Sequence, residues 1–493
     1  MIGWLADFFR FWWGLFYWNT RKSVFRRRGA GTARCPCQNY SDSGRALETR
    51  CDAALMWNEP GRFRRVCPLL VSTPDGWRCS VNTADVRPFW PRAWRYAGLA
   101  VFCLYLAGAV GAFGVLRSLG YRISPLAVIV PTKWPEIRAA REGVYAAHAL
   151  RALNAGNYQS AVLALELVCD LNRHNVAAGL TLAGLWQASN QWNLADGLYV
   201  RLMAENPGQQ LAVAQAWYHS LLSRADYAQI KELAVRLLPL DEAHRGVWLH
   251  ALFFAVRQTH DAHFLNELLA RPPAVPDWCM QLIRIEAALL QGRLASVERQ
   301  LTSPDAAPAS PYVPYYQIDR LIASGRYDDA IAMLDAYGPR LSPDEATFHR
   351  LRIYAARGWT SLAEIEFDDV LSRPLTPRQI TLICAQLVRQ PNRTLLSRYF
   401  VRFVRARLPL TTENYPLFSA TFCAAAVNGN WERAADLASM LRQLTGTEAQ
   451  SFQALQEFLR RGGAAKRIDL VLPAIALPIE VTYALLERYP PSA

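Results

Sequence analysis

Apolar and polar positions alternate with a helical period along most of this chain, and the pattern breaks into short units. Apolar residues recur at three- and four-residue spacing in runs such as Ala161, Leu165 and Val168, or Ala363, Phe367 and Val370, each unit ending near a helix breaker. A turn signature returns between the helical runs: AGNYQSA at 155–161, SNQWNLA at 189–195, RADYAQI at 224–230, QGRLASV at 291–297, SGRYDDA at 324–330, RGWTSLA at 357–363 and NGNWERA at 428–434. The turn positions Gly156, Asn190, Ala225, Gly292, Gly325, Gly358 and Gly429 follow at intervals of 34, 35, 67, 33, 33 and 71 residues, so each long gap holds about two periods. Degenerate copies near Thr259 (RQTHDAHF) and Asn392 (RQPNRTLL) fill the gaps and predict roughly nine helical hairpins. One hairpin cannot bury both of its faces. Stacked neighbours can, and they leave a long surface of the kind repeat proteins use to hold peptides or other proteins.

One stretch departs from this pattern. Ala97 to Leu116 reads AGLAVFCLYLAGAVGAFGVL, twenty residues without a charge, enough to cross a hydrocarbon core of about 30 Å. Phe89, Trp90, Trp94 and Tyr96 precede it and Tyr121 follows, the placement of interfacial aromatic rings. Arg87, Arg92 and Arg95 sit just before the span, so the positive-inside bias puts residues before 97 in the cytoplasm and the repeats outside, in the periplasm of a bacterium. Small residues at four-residue spacing, Ala107 and Gly111, Gly108 and Ala112, Gly114 and Ser118, suit close approach of two such helices in a homodimer. The opening MIGWLADFFRFWWGLFYW gathers Asp7, Arg10 and Gly14 on one helical stripe and reads as an in-plane interfacial helix; were it to cross the bilayer, residues 21–96 would still be cytoplasmic.

The residues Gly156, Tyr158 and Ala161, then Trp192 and Ala195 with Pro207 closing the unit, Gly325, Tyr327 and Ala330, and Gly429, Trp431 and Ala434 give the chain a resemblance to the tetratricopeptide-repeat family over about residues 136–450. Leu294 and Thr360 replace the family's tyrosine, and Asn190 and Ala225 replace its turn glycine. The resemblance implies an all-α, TPR-like helical-hairpin solenoid whose work is protein–protein interaction.

Charge and cysteine usage add a second theme. Of the formal net charge of +13, residues 1–96 hold +9, from 16 Lys and Arg against 7 Asp and Glu. The excess lies beside the apolar span, and no basic helical face with stacking aromatics accompanies it, so nucleic acid is not the expected partner. The same region holds Cys35, Cys37, Cys51, Cys67 and Cys79, half of the ten cysteines. A reducing compartment and a loop-rich segment of little aliphatic core favour a thiolate-held structural Zn²⁺ as a staple, with an iron–sulfur cluster or unligated thiols as alternatives. Cys103, Cys169, Cys279, Cys384 and Cys423 stand singly in apolar helical stretches and read as small buried side chains. Phosphate-loop, H-E-x-x-H, G-x-S-x-G and G-x-G-x-x-G motifs are absent, so the reading is non-enzymatic. His260 and His263 fall at a degenerate turn and read as exposed. Arg320, Arg352 and Arg357 read as solvated surface charge, with an anion-binding groove as the alternative.

The expected organisation is therefore an interfacial helix at 1–20, a cytoplasmic Cys-rich basic module at 21–96, a transmembrane helix at 97–119, a Pro-containing linker at 120–138, the repeat array at 139–450 and a C-terminal cap at 451–493. The function this predicts is an anchored scaffold recruiting a protein partner on the non-cytoplasmic side. The alternative is a transmembrane signalling protein that couples the array to the metal-stapled module.

Overall fold

The computed structural model describes Phe16, Thr20 and residues 70–74, 76–79, 89–304, 308–445, 450–463 and 467–491. Two compact units divide the chain, residues 1–144 and 145–493.

In the first unit, Leu70–Thr73 (β1) and Gly76–Cys79 (β2) pair antiparallel as a hairpin, with Leu70 opposite Cys79. Phe89–Ser118 (α1) is one unbroken helix; its Gly98–Ser118 part has a mean hydropathy of 2.3 and is the one helix among the described residues long and apolar enough to cross a membrane. Pro125–Ile129 (α2) opens on Ser124, whose side chain accepts from the Ala127 amide, and packs back against α1. Tyr105 Oη donates to the Ile129 carbonyl at 2.5 Å. Since Tyr105 lies about 20 Å from Ser118 along the helix axis, the uncharged run from Ile123 to Thr132 doubles back toward the middle of the span. Ala109, Ile123 and Ala127 are buried, while Ala107, Gly108, Gly111, Ala112 and Gly114 stay open.

In the second unit the helices run in pairs: α3 (Trp134–Asn154, which begins before residue 145) with α4 (Tyr158–Leu171), α5 (Val176–Ala188) with α6 (Trp192–Glu205), α7 (Gln210–Ser223) with α8 (Tyr227–Leu237), α9 (Arg245–Thr259) with α10 (Ala262–Ala270), α11 (Asp277–Leu290) with α12 (Leu294–Thr302), α13 (Tyr312–Ala323) with α14 (Tyr327–Tyr337), α15 (Pro343–Arg357) with α16 (Thr360–Ser372), α17 (Pro377–Arg389) with α18 (Arg393–Arg405), and α19 (Tyr415–Val427) with α20 (Trp431–Thr445). All seven turn positions read from the sequence take a left-handed backbone, from Ala225 at φ 54° to Gly358 at φ 79°, and His260 joins them at φ 50°. Each closes its helix with the same pair of bonds: at Asn190 the amide reaches the Gln187 carbonyl at 3.0 Å and the next amide reaches that of Trp186 at 2.8 Å. The residue after the turn then caps the second helix where it is Asn or Asp, as Asn157, Asp226 and Asp261 do. The copy near Asn392 turns differently. Pro391 cannot take a positive φ, so α17 ends in extended backbone at Gln390 and Asn392 caps α18 through the Leu395 amide.

Five residues past each left-handed turn, the second helix plants a residue against the first: Ala161, Ala195, Ile230, Leu265, Val297, Ala330, Ala363 and Ala434 are 0–5% exposed. All but Ala161 belong to one apolar cluster that runs from Ala149 to Leu486.

The segment expected to cap the array divides its work. Gln450–Arg460 (α21) packs on α19. Gly462 and Gly463, both at positive φ, then redirect the chain. Ile479–Arg488 (α22) packs against α17 and α7, helices nearly 170 residues apart. Its Val481, Tyr483, Ala484, Leu485 and Leu486 are at most 5% exposed.

Candidate functional site on the inner face of the helical array

Six residues before the left-handed turn, the first helix of three successive hairpins carries a charged side chain: Glu286 before Gly292, Asp319 before Gly325 and Arg352 before Gly358. Equivalent positions in successive hairpins lie side by side, so these groups and Arg257 of α9 meet. Arg257 grips Glu286 with two parallel bonds of 2.6 and 2.9 Å and reaches Asp319 at 3.4 Å. Asp319 also receives Arg320 and Arg352, each at 2.7 Å, and Tyr316 Oη donates to Glu286 at 2.7 Å. The carboxylate of Glu286 is 1% exposed. Burial alone would raise both carboxyls; the guanidinium groups of Arg320, Arg352 and Arg257 outweigh it and hold Asp319 well below the usual range, and Arg257 does the same, less strongly, for Glu286.

An aromatic layer adjoins this network. Tyr312 and Tyr315 stack at 5.9 Å, Tyr315 meets His349 edge-on at 5.0 Å, and His250 meets Tyr483 of α22 at 4.8 Å. Tyr483 also packs on Phe254 at 4.5 Å and shares a hydrogen bond with the Tyr218 hydroxyl. Burial pushes His250 down to about 4 and His349 to about 3, the latter helped by Arg352, so both rings are neutral at pH 7. His349 is 3% exposed, and neither of its ring nitrogens has a hydrogen-bond partner.

Beside α22 the cluster borders an open cavity of about 380 Å³ lined by Arg352, Gln386, Arg389, Glu487 and Arg488 among others. Arg389 pairs with Glu487 at 2.6 Å, and Arg488 bonds the Arg389 carbonyl at 3.4 Å. The lining offers guanidinium and amide donors and one carboxylate. Such a set suits holding a polypeptide in place through hydrogen bonds, which is what it does to α22.

The residues singled out in the sequence fall in several places. Cys35, Cys37, Cys51 and Cys67 lie outside the described residues, and of Cys79 only the backbone at the end of β2 is described. Among the described residues no three His, Cys, Asp or Glu side chains gather as metal ligands. Cys169, Cys279, Cys384 and Cys423 are buried, whereas Cys103 is exposed on the apolar helix α1. Arg320 and Arg352 are not free surface charges, because both pair with Asp319, although Arg352 also lines the open cavity; Arg357 pairs with Asp328. His260 ends α9 in left-handed backbone, and His263 is exposed, 3.8 Å from Glu267. Sequence reading passed over Glu286, Asp319 and Tyr483. The first two carried a signal, charged residues 33 positions apart in register with Arg352. Tyr483 carried none, because nothing local tells where a terminal helix will dock.

No protein-family model and no curated protein matches this chain.

Proposed function

We propose that the protein is a membrane-anchored, TPR-like scaffold that holds a protein partner on the non-cytoplasmic side. The observation that carries this reading is the pairing of one exposed apolar helix, Gly98–Ser118, of which 6% is buried, with an unbroken series of helical hairpins after it. A helix whose apolar side chains face outward all round requires lipid or another protein. Helical hairpins stacked in series offer an extended surface of the kind that holds other proteins. The arginines before the span orient the array outward.

In this reading the fold-back at α2 lies against the span within the outer leaflet, its backbone groups satisfied by α2 itself and by Tyr105. The open small-residue face of α1 favours a homodimer through the span, which is the part of the molecule a signalling role would use. The five N-terminal cysteines would hold Zn²⁺ as thiolates. Elemental analysis of the full chain tests that: zinc retained in the wild type and lost in Cys51→Ser and Cys67→Ser supports it, and a metal-free wild type rejects it.

Proximity labelling with the enzyme fused after residue 493 tests the main reading. Labelled neighbours in the envelope or lumen are expected; labelling confined to cytoplasmic proteins overturns it.

A further inference from the structure

On the inner face α22 packs against α7 and α17; a second surface, more basic, lies farther along the array. Residues 371–412 carry eight arginines and no Asp or Glu, a local +8 inside a region, residues 97–493, whose total is only +4. Several of these are satisfied: Arg373, Arg378, Arg389 and Arg398 have carboxylates within 3.1 Å, and Arg393 donates to the Asn428 carbonyl at 3.1 Å. Arg402, Arg405 and Arg407 have no carboxylate partner among the described residues.

Arg405 ends α18, and Arg407, two residues on, lines a groove of about 320 Å³ that opens between α18 and α20. Phe400, Phe403, Phe418 and Leu437 form its floor, each at most 8% exposed. Its mouth carries Val404, 65% exposed, and Met440, 37% exposed. Val401, next to Val404 on the helix surface, is 53% exposed. Arg407 lines the groove, held at φ 46°, a backbone state arginine rarely takes. The one carboxylate in the lining, Asp436, stands 3.8 Å from Arg433. The surface is thus a deep apolar slot with a basic margin. A flat lipid surface would leave such a slot unfilled, whereas a side chain of a docking helix would enter it.

We propose that this groove docks an acidic, amphipathic peptide helix of a partner protein, its apolar side chains seated over Phe403 and Val404 and its carboxylates on Arg405 and Arg407. The inference rests on the scaffold reading above. Affinity comes from burying Val404, Met440 and the partner's anchors; the arginines set the required sign of charge and make binding salt-sensitive.

The test uses the full chain in neutral-lipid nanodiscs, against a displayed library of random 16-residue peptides. Recovered peptides are expected to be net acidic with apolar residues at three- and four-residue spacing. Their affinity is expected to fall about tenfold or more in Val404→Asp and in Arg405→Glu/Arg407→Asn, asparagine being chosen because it accepts the left-handed backbone. Unchanged circular dichroism and melting in both variants show that the loss is local. Recovery of no peptide, of peptides without acidic bias, or of peptides held equally by both variants overturns the proposal. So does co-flotation of the nanodiscs with phosphatidylserine vesicles in place of peptide binding, which would make the groove a lipid contact. Proximity labelling separates this proposal from the scaffold reading. If Val404→Asp labels the same envelope neighbours as the wild type, the groove fails and the scaffold stands; if the wild type labels none, the scaffold itself fails.

Discussion

Inside the array, Arg257, Arg320 and Arg352 each have a carboxylate, and the neighbouring His250 and Phe254 pack on Tyr483 from a helix of the same chain. In the groove between α18 and α20, Arg405 and Arg407 have none, and Val404 faces water. Both regions are arginine and aromatic residues on paired helices, so composition does not distinguish them. What differs is whether the chain supplies its own partner. On the inner face α22 provides Tyr483 and Glu487, and the region becomes core. At the groove no described segment of the chain arrives, and the region remains a surface with unmet demands. A concave face in a helical array is therefore not automatically its binding face.

The comparison predicts unequal responses to substitution. The largest is expected at Asp319. Asp319→Ala leaves Arg257, Arg320 and Arg352 with Glu286 alone, and losing one member of a buried charge network costs about 3–5 kcal/mol; denaturant unfolding of the full chain in nanodiscs should show it, and a change under about 1 kcal/mol would mean that the network is solvated. Tyr483→Ala follows, at about 3 kcal/mol for a buried aromatic ring, and should also raise the protease sensitivity of residues after 467. If α22 were only loosely laid on the array, the variant would melt like the wild type.

Next in size is an acid effect with a definite sign. His349 titrates near the ordinary value of about 6.5 when unfolded and near 3 when folded, so protonation favours the unfolded chain. Its contribution is full above about pH 6.5 and falls by about 1.4 kcal/mol per pH unit below that, until the folded value is passed. His250 acts in the same direction down to about 4. Asp319 and Glu286, both depressed, add their loss below the unfolded carboxyl range of about 4. His349→Phe should flatten the profile between pH 6.5 and 4.5 and leave stability at pH 7 within about 1 kcal/mol, because neither ring nitrogen has a bond to lose; an unchanged slope would assign the acid effect elsewhere. The smallest effect on stability is expected in the groove. Val404→Asp should shift unfolding by no more than about 0.5 kcal/mol, and a loss of several would show that the groove is core after all.

The repeat register was legible in the sequence because a left-handed turn every 32 to 35 residues from Gly156 to Gly358 constrains residue choice strongly: Gly156, Gly292, Gly325, Gly358 and, two periods on, Gly429 remove the steric cost of positive φ, and Asn190 tolerates it. Even the degenerate copy at His260 follows, since Asp261 caps the next helix there as Asn157 and Asp226 do elsewhere. The apolar helix was legible from length and apolarity alone. Long-range placement was not. The tail's apolar residues, from Ile468 to Leu486, specify burial without specifying where. Pro125, Pro131 and Pro135 marked a linker that does not continue the apolar helix, but not its course: the apolar run between the first two returns along α1, where the Tyr105 hydroxyl meets the Ile129 carbonyl. The charged cluster was half-visible: Arg320 and Arg352 stood out without their carboxylates, and the register of Glu286, Asp319 and Arg352 turns separate charges into one network.

The claim on which the rest depends is that α22 belongs to the interior of the array. Hydrogen–deuterium exchange on the full chain in nanodiscs measures this directly. The amides of residues 481–486 should exchange as slowly as those of residues 249–256 at the centre of α9, through global unfolding only. Exchange of 481–486 within seconds, beside slow exchange at 249–256, would show a helix free of the array and return the inner face to the list of open binding surfaces.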